Sequence, residues 1–289
     1  MSLAGSGRTS SKMTAGPASI RIVEPPDSGG ADMIAARARI RNVLEHEQIN
    51  TYLQPIVRLR GRKVVGVEAL SRFTATPVRP PNEWFVEAVA VGLGEELELL
   101  AMKSALSLLD TLPSNVYLSV NVSPVTVVAA SLGICFWGTQ WSRVVLEITE
   151  HAAVRDYIAL NEAIAPLKKL GARLAVDDAG AGFASLRHIL SVAPDIIKLD
   201  IAMTRDVATD RGSRAMVAAL VSFARESGAV VVADGIETNE QVRALLQVVD
   251  DTGRFRGWVG SEVSISVDAR TLQWNNPEGD IFAIGEITA

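Results

Sequence analysis

Short, nearly continuous apolar runs recur along this chain, at Leu146-Glu147-Ile148, Leu174-Ala175-Val176 and Val230-Val231-Val232-Ala233, and helical spacing follows each of them. Strands of this kind belong in a parallel sheet covered on both faces. The alternation extends over most of the chain. Strand patterns fall at 51–60, 63–72, 116–122, 144–150, 173–178, 196–200, 230–234 and 254–259. Helical patterns fall at 34–47, 82–91, 95–112, 153–170, 184–190, 212–227 and 239–248, with a short helix begun by Ser123-Pro124. So many strand–helix units in one domain of this length favour an α/β fold, a (β/α)8 TIM-like barrel, over an open doubly wound sheet. Arg60-Gly61-Arg62 reads as a hairpin turn between the first two strands, so the first strand is antiparallel, a departure from the regular barrel. Asn82 is the expected cap of its helix, and Gly171 and Gly228 the expected ends of theirs.

Composition narrows the class further. With 289 residues, 48% of them hydrophobic, the chain can bury one large core. A net charge of −5 advertises no basic surface for a nucleic-acid polymer or a membrane. No stretch reaches the roughly 18 apolar residues of a membrane segment, and the Gly-, Ser- and Pro-rich N-terminus lacks a signal-peptide core. Cys135 is the only cysteine, which excludes an internal disulfide and points to a reducing, cytoplasmic setting. Its apolar neighbours Ile134 and Phe136 predict a buried structural thiol. Residues 1–30 read as a flexible leader, 31–260 as the barrel domain and 261–289 as an atypical tail.

The strands end in charge. Glu68, Asn121, Glu147, the pair Asp177-Asp178, Lys198 and Asp234 each lie at or near the end of a strand pattern, and Glu237 follows closely. In a barrel those ends converge on one mouth, where active sites lie. Several carboxylates at short range repel one another and raise each other's pKa. Hard divalent cations remove that repulsion, and an oxygen-only donor set without His or Cys points to Mg²⁺ or Mn²⁺ rather than zinc. His151 and His188 read as surface or capping groups. Asp177-Asp178 suits two cations sharing a bridging carboxylate, the arrangement that clamps a phosphodiester during hydrolysis, with Lys198 orienting water or neutralising a phosphate oxygen.

At this point the chain resembles a known family. Val67-Glu68-Ala69-Leu70-Ser71-Arg72, preceded by Leu53-Gln54-Pro55-Ile56-Val57, is similar to the signature of the EAL domains of bacterial cyclic di-GMP phosphodiesterases. The likeness continues through Asn121-Val122-Ser123, Leu146-Glu147-Ile148-Thr149-Glu150, Asp177-Asp178-Ala179-Gly180-Ala181-Gly182-Phe183, Ile197-Lys198-Leu199-Asp200 and Val232-Ala233-Asp234-Gly235-Ile236-Glu237. The resemblance implies hydrolysis of cyclic di-GMP to pGpG with Mg²⁺ or Mn²⁺ in a two-metal site. It implies Glu68, Asn121, Glu147 and Asp177 as ligands of one metal, and Asp177 with Asp178 as ligands of the other. It gives Lys198 to the hydrolytic water, Gln54 and Arg72 to the substrate, and Glu237 to support of the loop after Asp178. A homodimer is an assembly that the family offers.

Two departures bear on activity. The family usually has Glu where Asp234 stands. The side chain is shorter by one methylene, about 1.5 Å of reach, so a group serving metal or water there is expected to act through an intervening water. Misplacement of about 1 Å can slow an enzyme on the order of 100-fold. Arg256-Gly257-Trp258 also stands where the family has Gln-Gly-Tyr/Trp, and the polar, turn-rich 273–280 and the alternating 261–267 do not resemble its ending. Two functions therefore fit: an active phosphodiesterase, or a weak or inactive EAL domain acting as a cyclic di-GMP receptor or regulatory partner.

Overall fold

The computed structural model describes residues 28–59, 63–149, 154, 156–179, 184–248, 255–259, 272–275 and 281–284. The chain opens with helix α1 (Ser28–Glu45) and the hairpin strands β1 (Ile49–Val57) and β2 (Val64–Phe73), then α2 (Pro81–Ala90) and α3 (Gly94–Leu106). Next come β3 (Tyr117–Asn121), the short α4 (Pro124–Ala129) and α5 (Leu132–Cys135), β4 (Val144–Thr149), α6 (Tyr157–Lys169), β5 (Arg173–Ala179) and α7 (Ala184–Val192). The rest of the barrel is β6 (Ile196–Leu199), α8 (Ile201–Arg205), α9 (Arg211–Ser227), β7 (Val230–Ala233), α10 (Asn239–Val248) and β8 (Phe255–Val259). The eight strands close in sequence order. β1 is antiparallel to both β2 and β8, and every other neighbouring pair is parallel. The barrel and its antiparallel first strand are as the sequence implied.

Among the described residues, three apolar groups hold this frame. The largest packs the outer faces of the strands against α3 to α10, with Leu118, Leu146, Leu160, Val176, Ile197, Val217 and Leu245 fully or nearly buried. A second joins Ile40 and Val43 of α1 to Trp84 and Ala88 of α2 and Leu97 of α3. Arg79 lies 3.9 Å over the Trp84 ring and shares the carboxylate of Glu87 with Arg39. Burial pushes the Glu87 carboxyl upward, but the two guanidinium groups outweigh it and hold it below its ordinary range. The third group fills the barrel interior with Ile56, Val145, Ala175, Ile196 and Val232.

Several local expectations are corrected. Helix α2 begins at Pro81 with no side-chain cap, because Asn82 already lies within its first turn. α6 starts at Tyr157, where the Asp156 carboxylate accepts from the N–H groups of Ile158 and Ala159. Cys135 is exposed, since the four-residue α5 buries only Leu132; its Sγ donates to the Ala130 carbonyl at 2.8 Å. His188 is buried rather than superficial, with Nδ1 3.1 Å from the Tyr157 hydroxyl. Asp200 caps a helix, α8, that the pattern did not reveal. Within the polar 273–280 stretch the first residues belong to β9 (Leu272–Asn275), which pairs antiparallel with β10 (Ile281–Ile284). Residues 1–27, the turn at 60–62, Glu150, His151, the loop at 180–183 and the alternating 261–267 lie outside the described residues.

Candidate metal centre

Successive residues of a strand point to opposite faces, so a barrel strand with an acid two residues beyond an apolar interior residue places that acid inside, one step higher. Glu147 follows Val145 in this way, Asp177 follows Ala175, Lys198 follows Ile196 and Asp234 follows Val232. On the antiparallel β1 the order reverses, and Gln54, two residues before Ile56, stands opposite Glu68. These side chains share the mouth at the C-terminal ends of β2 to β7.

Lys198 is the centre of the group and is 1% exposed. Its Nζ donates to Glu147 at 2.8 Å and to Glu68 at 3.2 Å, and lies 3.2 Å from Asp177 and 3.4 Å from Asp234. Asn121 donates its amide N–H to the other oxygen of Glu68 at 3.2 Å, and the buried Ser119 hydroxyl donates to the other oxygen of Glu147. Four carboxylates thus face one ammonium.

Burial is the largest influence on Glu147, with Glu68 next, and together with Asp177 they hold its carboxyl well above the ordinary range although Lys198 opposes them. Burial likewise pushes Asp234 up to about 7, with Asp177 and Glu68 adding to the shift and Lys198 opposing it. For Lys198, burial favours the neutral amine, but Asp234, Glu147, Glu68 and Asp177 outweigh it, and the ammonium is held well above its ordinary range.

The local backbone explains how two adjacent acids serve one mouth. Between β5 and β6 the register slips from Val176 opposite Ile197 to Ala179 opposite Leu199, so one extra residue bulges from β5 at Asp177-Asp178. Asp178 takes a left-handed φ of 58°, which Asp tolerates better than most residues, and its N–H donates to Asp177 Oδ1 at 3.0 Å. Asp234 is set by a different device. The Thr204 hydroxyl donates to the Asp234 carbonyl, and Gly235 follows at φ 67°, where a Cβ would meet Ile201 at 2.3 Å. Gln241 completes the loop by accepting from the N–H groups of Glu237 and Thr238, both at 2.9 Å.

The remaining candidates are spread around the mouth. Arg72 donates to the Ser71 carbonyl at 2.8 Å, lies 5.5 Å from the Tyr52 ring centroid, and lines a cavity of about 570 Å³ together with Asn121. The Glu237 side chain is exposed, and residues 180–183 of the loop assigned to it lie outside the described residues. Ser119, Thr204 and Gln241 escaped the sequence reading. Ser119 stands two residues before Asn121 on the same face of β3, a period-two signal that could have found it. Thr204 and Gln241 sit on helices, and nothing in their spacing marks them.

The donor chemistry suits a hard cation. Oxygens of Glu68, Glu147 and Asp177 all lie within 4.8 Å of one another, and the donors are oxygen atoms alone. A family model described as the EAL domain matches residues 37–253. The chain belongs to the EAL-domain family. An uncharacterized signaling protein of Caulobacter vibrioides is 31% identical to this EAL chain over 254 residues, covering 85% of the chain and 31% of that protein. The bifunctional diguanylate cyclase/cyclic di-GMP phosphodiesterase MucR of Pseudomonas aeruginosa is 27% identical over 221 residues, covering 72% of the chain and 32% of that protein. A solved structure described as PaMucR phosphodiesterase in complex with c-di-GMP superposes with a TM-score of 0.67 at 25% identity, covering 78% of this chain and 94% of that one. The EAL chain therefore spans about a third of the length of these curated relatives. No helix among its described residues is long and apolar enough to cross a membrane.

Proposed function

We propose that this EAL domain is a cyclic di-GMP phosphodiesterase that hydrolyses its substrate to linear pGpG. The observation that carries the reading is the ring of Glu68, Glu147, Asp177 and Asp234 around Lys198 at the barrel mouth. Glu68, Asn121, Glu147 and Asp177 would hold one Mg²⁺ or Mn²⁺, and Asp177 with Asp178 a second. Divalent cations bound there supply the charge that activates water and stabilises the phosphoryl group.

The chain's own residues do the rest. Water adds to phosphorus, the bond from phosphorus to the 3′ oxygen breaks, and the water's proton leaves as the 3′ hydroxyl regains one. Lys198 lies 2.8 to 3.4 Å from four carboxylates, so it serves as a donor that orients water or meets a phosphoryl oxygen, not as the base. Arg72, at the rim, offers a forked donor to phosphate, and Gln54 beside Glu68 contacts the ligand. Glu237 supports the loop beyond Asp178.

Asp234 reaches Lys198 with one oxygen, while its Oδ1 is buried without a hydrogen-bond partner among the described residues. A buried unpaired carboxylate oxygen calls for a water or an ion. In this reading a water fills the length that a glutamate would supply. The test is release of pGpG from cyclic di-GMP with Mg²⁺ or Mn²⁺ by the wild type beside Asp234→Glu. Product from both, with a gain of about 10- to 100-fold in the variant, is expected. No pGpG at micromolar enzyme from either protein rejects the reading.

A further inference from the structure

We propose, in an inference that rests on the phosphodiesterase reading, that Gln241 is a positioning residue for the reaction: acting through Thr204, it fixes Asp234 against Lys198. Gln241 lies in the first turn of α10 and is only 7% exposed, so its amide must find partners inside the protein. Backbone groups supply them. Gln241 Oε1 accepts from the N–H groups of Glu237 and Thr238, both at 2.9 Å. Its Nε2 donates to the Arg205 carbonyl at 3.2 Å and lies 3.5 Å from the Thr204 carbonyl, at the C-terminal end of α8. The opposite amide orientation would set NH₂ against two N–H donors and oxygen against two carbonyls, so the network itself fixes this one.

Half of this network is a helix cap. The Gln241 N–H donates to Thr238 Oγ1 at 3.2 Å while the Thr238 N–H donates to Gln241 Oε1, a reciprocal pair that satisfies the start of a helix. A glutamate would serve that cap equally well, and its charge would suit the N-terminus of α10. The other half needs an amide. Only an N–H donor can meet the carbonyls at the end of α8, and a carboxylate there would face two carbonyl oxygens.

That second half leads to the metal centre. α8 follows β6, the strand that carries Lys198, and Thr204 is fully buried within it. The Thr204 hydroxyl has two acceptors in reach: the Ile201 carbonyl of its own helix at 3.1 Å, and the Asp234 carbonyl, which is closer. One hydroxyl donates one proton, so the link to Asp234 depends on where Gln241 holds the end of α8. With the link made, the Asp234 backbone is held on both sides, since its N–H donates to the Leu199 carbonyl at 3.2 Å. Asp234 Oδ2 then stands 3.4 Å from Lys198 Nζ. Without the link the hydroxyl returns to Ile201, and the loop that begins at Asp234 can draw the carboxylate back from the ammonium.

The experiment compares pGpG release with Mg²⁺ or Mn²⁺ by the wild-type chain, Gln241→Glu, Thr204→Val and Thr204→Ser. Gln241→Glu keeps the cap and removes the donor; Thr204→Val keeps the shape and removes the hydroxyl. Each should lower kcat about tenfold with KM within about twofold of wild type, whereas Thr204→Ser should keep wild-type turnover. In an Asp234→Asn background neither change should cost anything further, because residues that act through one another are not additive. Fully additive losses in that background, or wild-type kcat in Gln241→Glu, would make Gln241 a helix cap alone and overturn the proposal. A second readout needs no turnover: the side-chain carboxyl ¹³C shift of Asp234, in EDTA at fixed pH, should move in Gln241→Glu and Thr204→Val and stay in place in Thr204→Ser. If the wild type releases no pGpG, the phosphodiesterase reading falls and that shift alone decides whether Gln241 and Thr204 set Asp234; a shift unmoved in both variants overturns it.

Discussion

Two layers of side chains fill this barrel, and they differ by two residues along the same strands. The lower layer is Ile56, Val145, Ala175, Ile196 and Val232. The upper layer is Gln54, Glu147, Asp177, Lys198 and Asp234, one strand period and about 6.6 Å away. The backbone, the ladders and the curvature are shared; only the side chains change. The lower layer closes the barrel by apolar packing and excludes water from beneath the upper one. That exclusion is why burial is the largest influence on Glu147, Lys198 and Asp234 alike. A charged site of this kind is stable only where a packed layer fixes its floor and its charges answer one another.

The largest effect comes from taking the ammonium out of the upper layer. Lys198→Met keeps the volume and leaves the carboxylates facing one another. In EDTA it should lose about 3–5 kcal/mol of stability, read by urea denaturation, with part of the loss recovered on adding Mg²⁺. Hydrolysis should fall on the order of 100- to 1,000-fold. A variant as stable as wild type in EDTA would mean that the carboxylates shed their charge by taking up protons instead. The matching change below is Ile196→Ala. It should lower stability by about 2–4 kcal/mol through the cavity it leaves, with turnover of the folded protein nearly unchanged. A steep fall in turnover with little loss of stability would show that the lower layer sets the geometry of the upper one.

Much of the upper layer was legible in sequence because strand period and polarity coincide there. An acid two residues beyond an aliphatic residue at a strand end is a pattern that needs no coordinates, and Glu147, Asp177 and Asp234 all carry it. What could not be read was how the backbone bends to use them. The bulge at Asp177-Asp178 and the left-handed Asp178 arise from pairing with β6, which is a tertiary fact. That Lys198 touches four acids depends on the curvature of the barrel. Cys135 and His188 were misjudged for a related reason. An apolar run does not say which side of a four-residue helix faces inward, and a helical histidine does not announce that Tyr157 covers it.

The two layers also differ, at a smaller scale, in how metal-free stability depends on pH. An unfolded Asp loses its proton near pH 4, whereas Asp234 in the folded chain keeps its own until about 7. Between those values the native state holds more protons than the unfolded one, so stability falls as pH rises through that window. Glu147 acts in the same direction. Lys198 runs the other way only in strong alkali, where its stabilisation is lost as pH passes its raised pKa. In EDTA the wild type should therefore lose on the order of 2 kcal/mol between pH 5 and 8. Asp234→Asn should flatten that slope, and Ile196→Ala should only displace the curve downward. A wild-type curve that rises over this range would show that the ammonium, not burial, governs the acids.

The smallest effect tests a single hydroxyl. Ser119 is buried on β3 and donates to the Glu147 oxygen that Lys198 does not take. Ser119→Ala deletes the donor without adding bulk, so Glu147 keeps its place but loses one of the two groups that favour its charged form. A hydrogen bond to a charged group is worth about 1.5–3 kcal/mol, and the ammonium that remains absorbs part of that loss. Hydrolysis should drop by about five- to twentyfold. The distinguishing sign lies in the acid limb of the rate–pH profile, which should move to higher pH because the carboxylate is then harder to ionise. A loss of rate with the limb unmoved would make Ser119 a packing residue of the lower kind, placed by its strand among the upper ones.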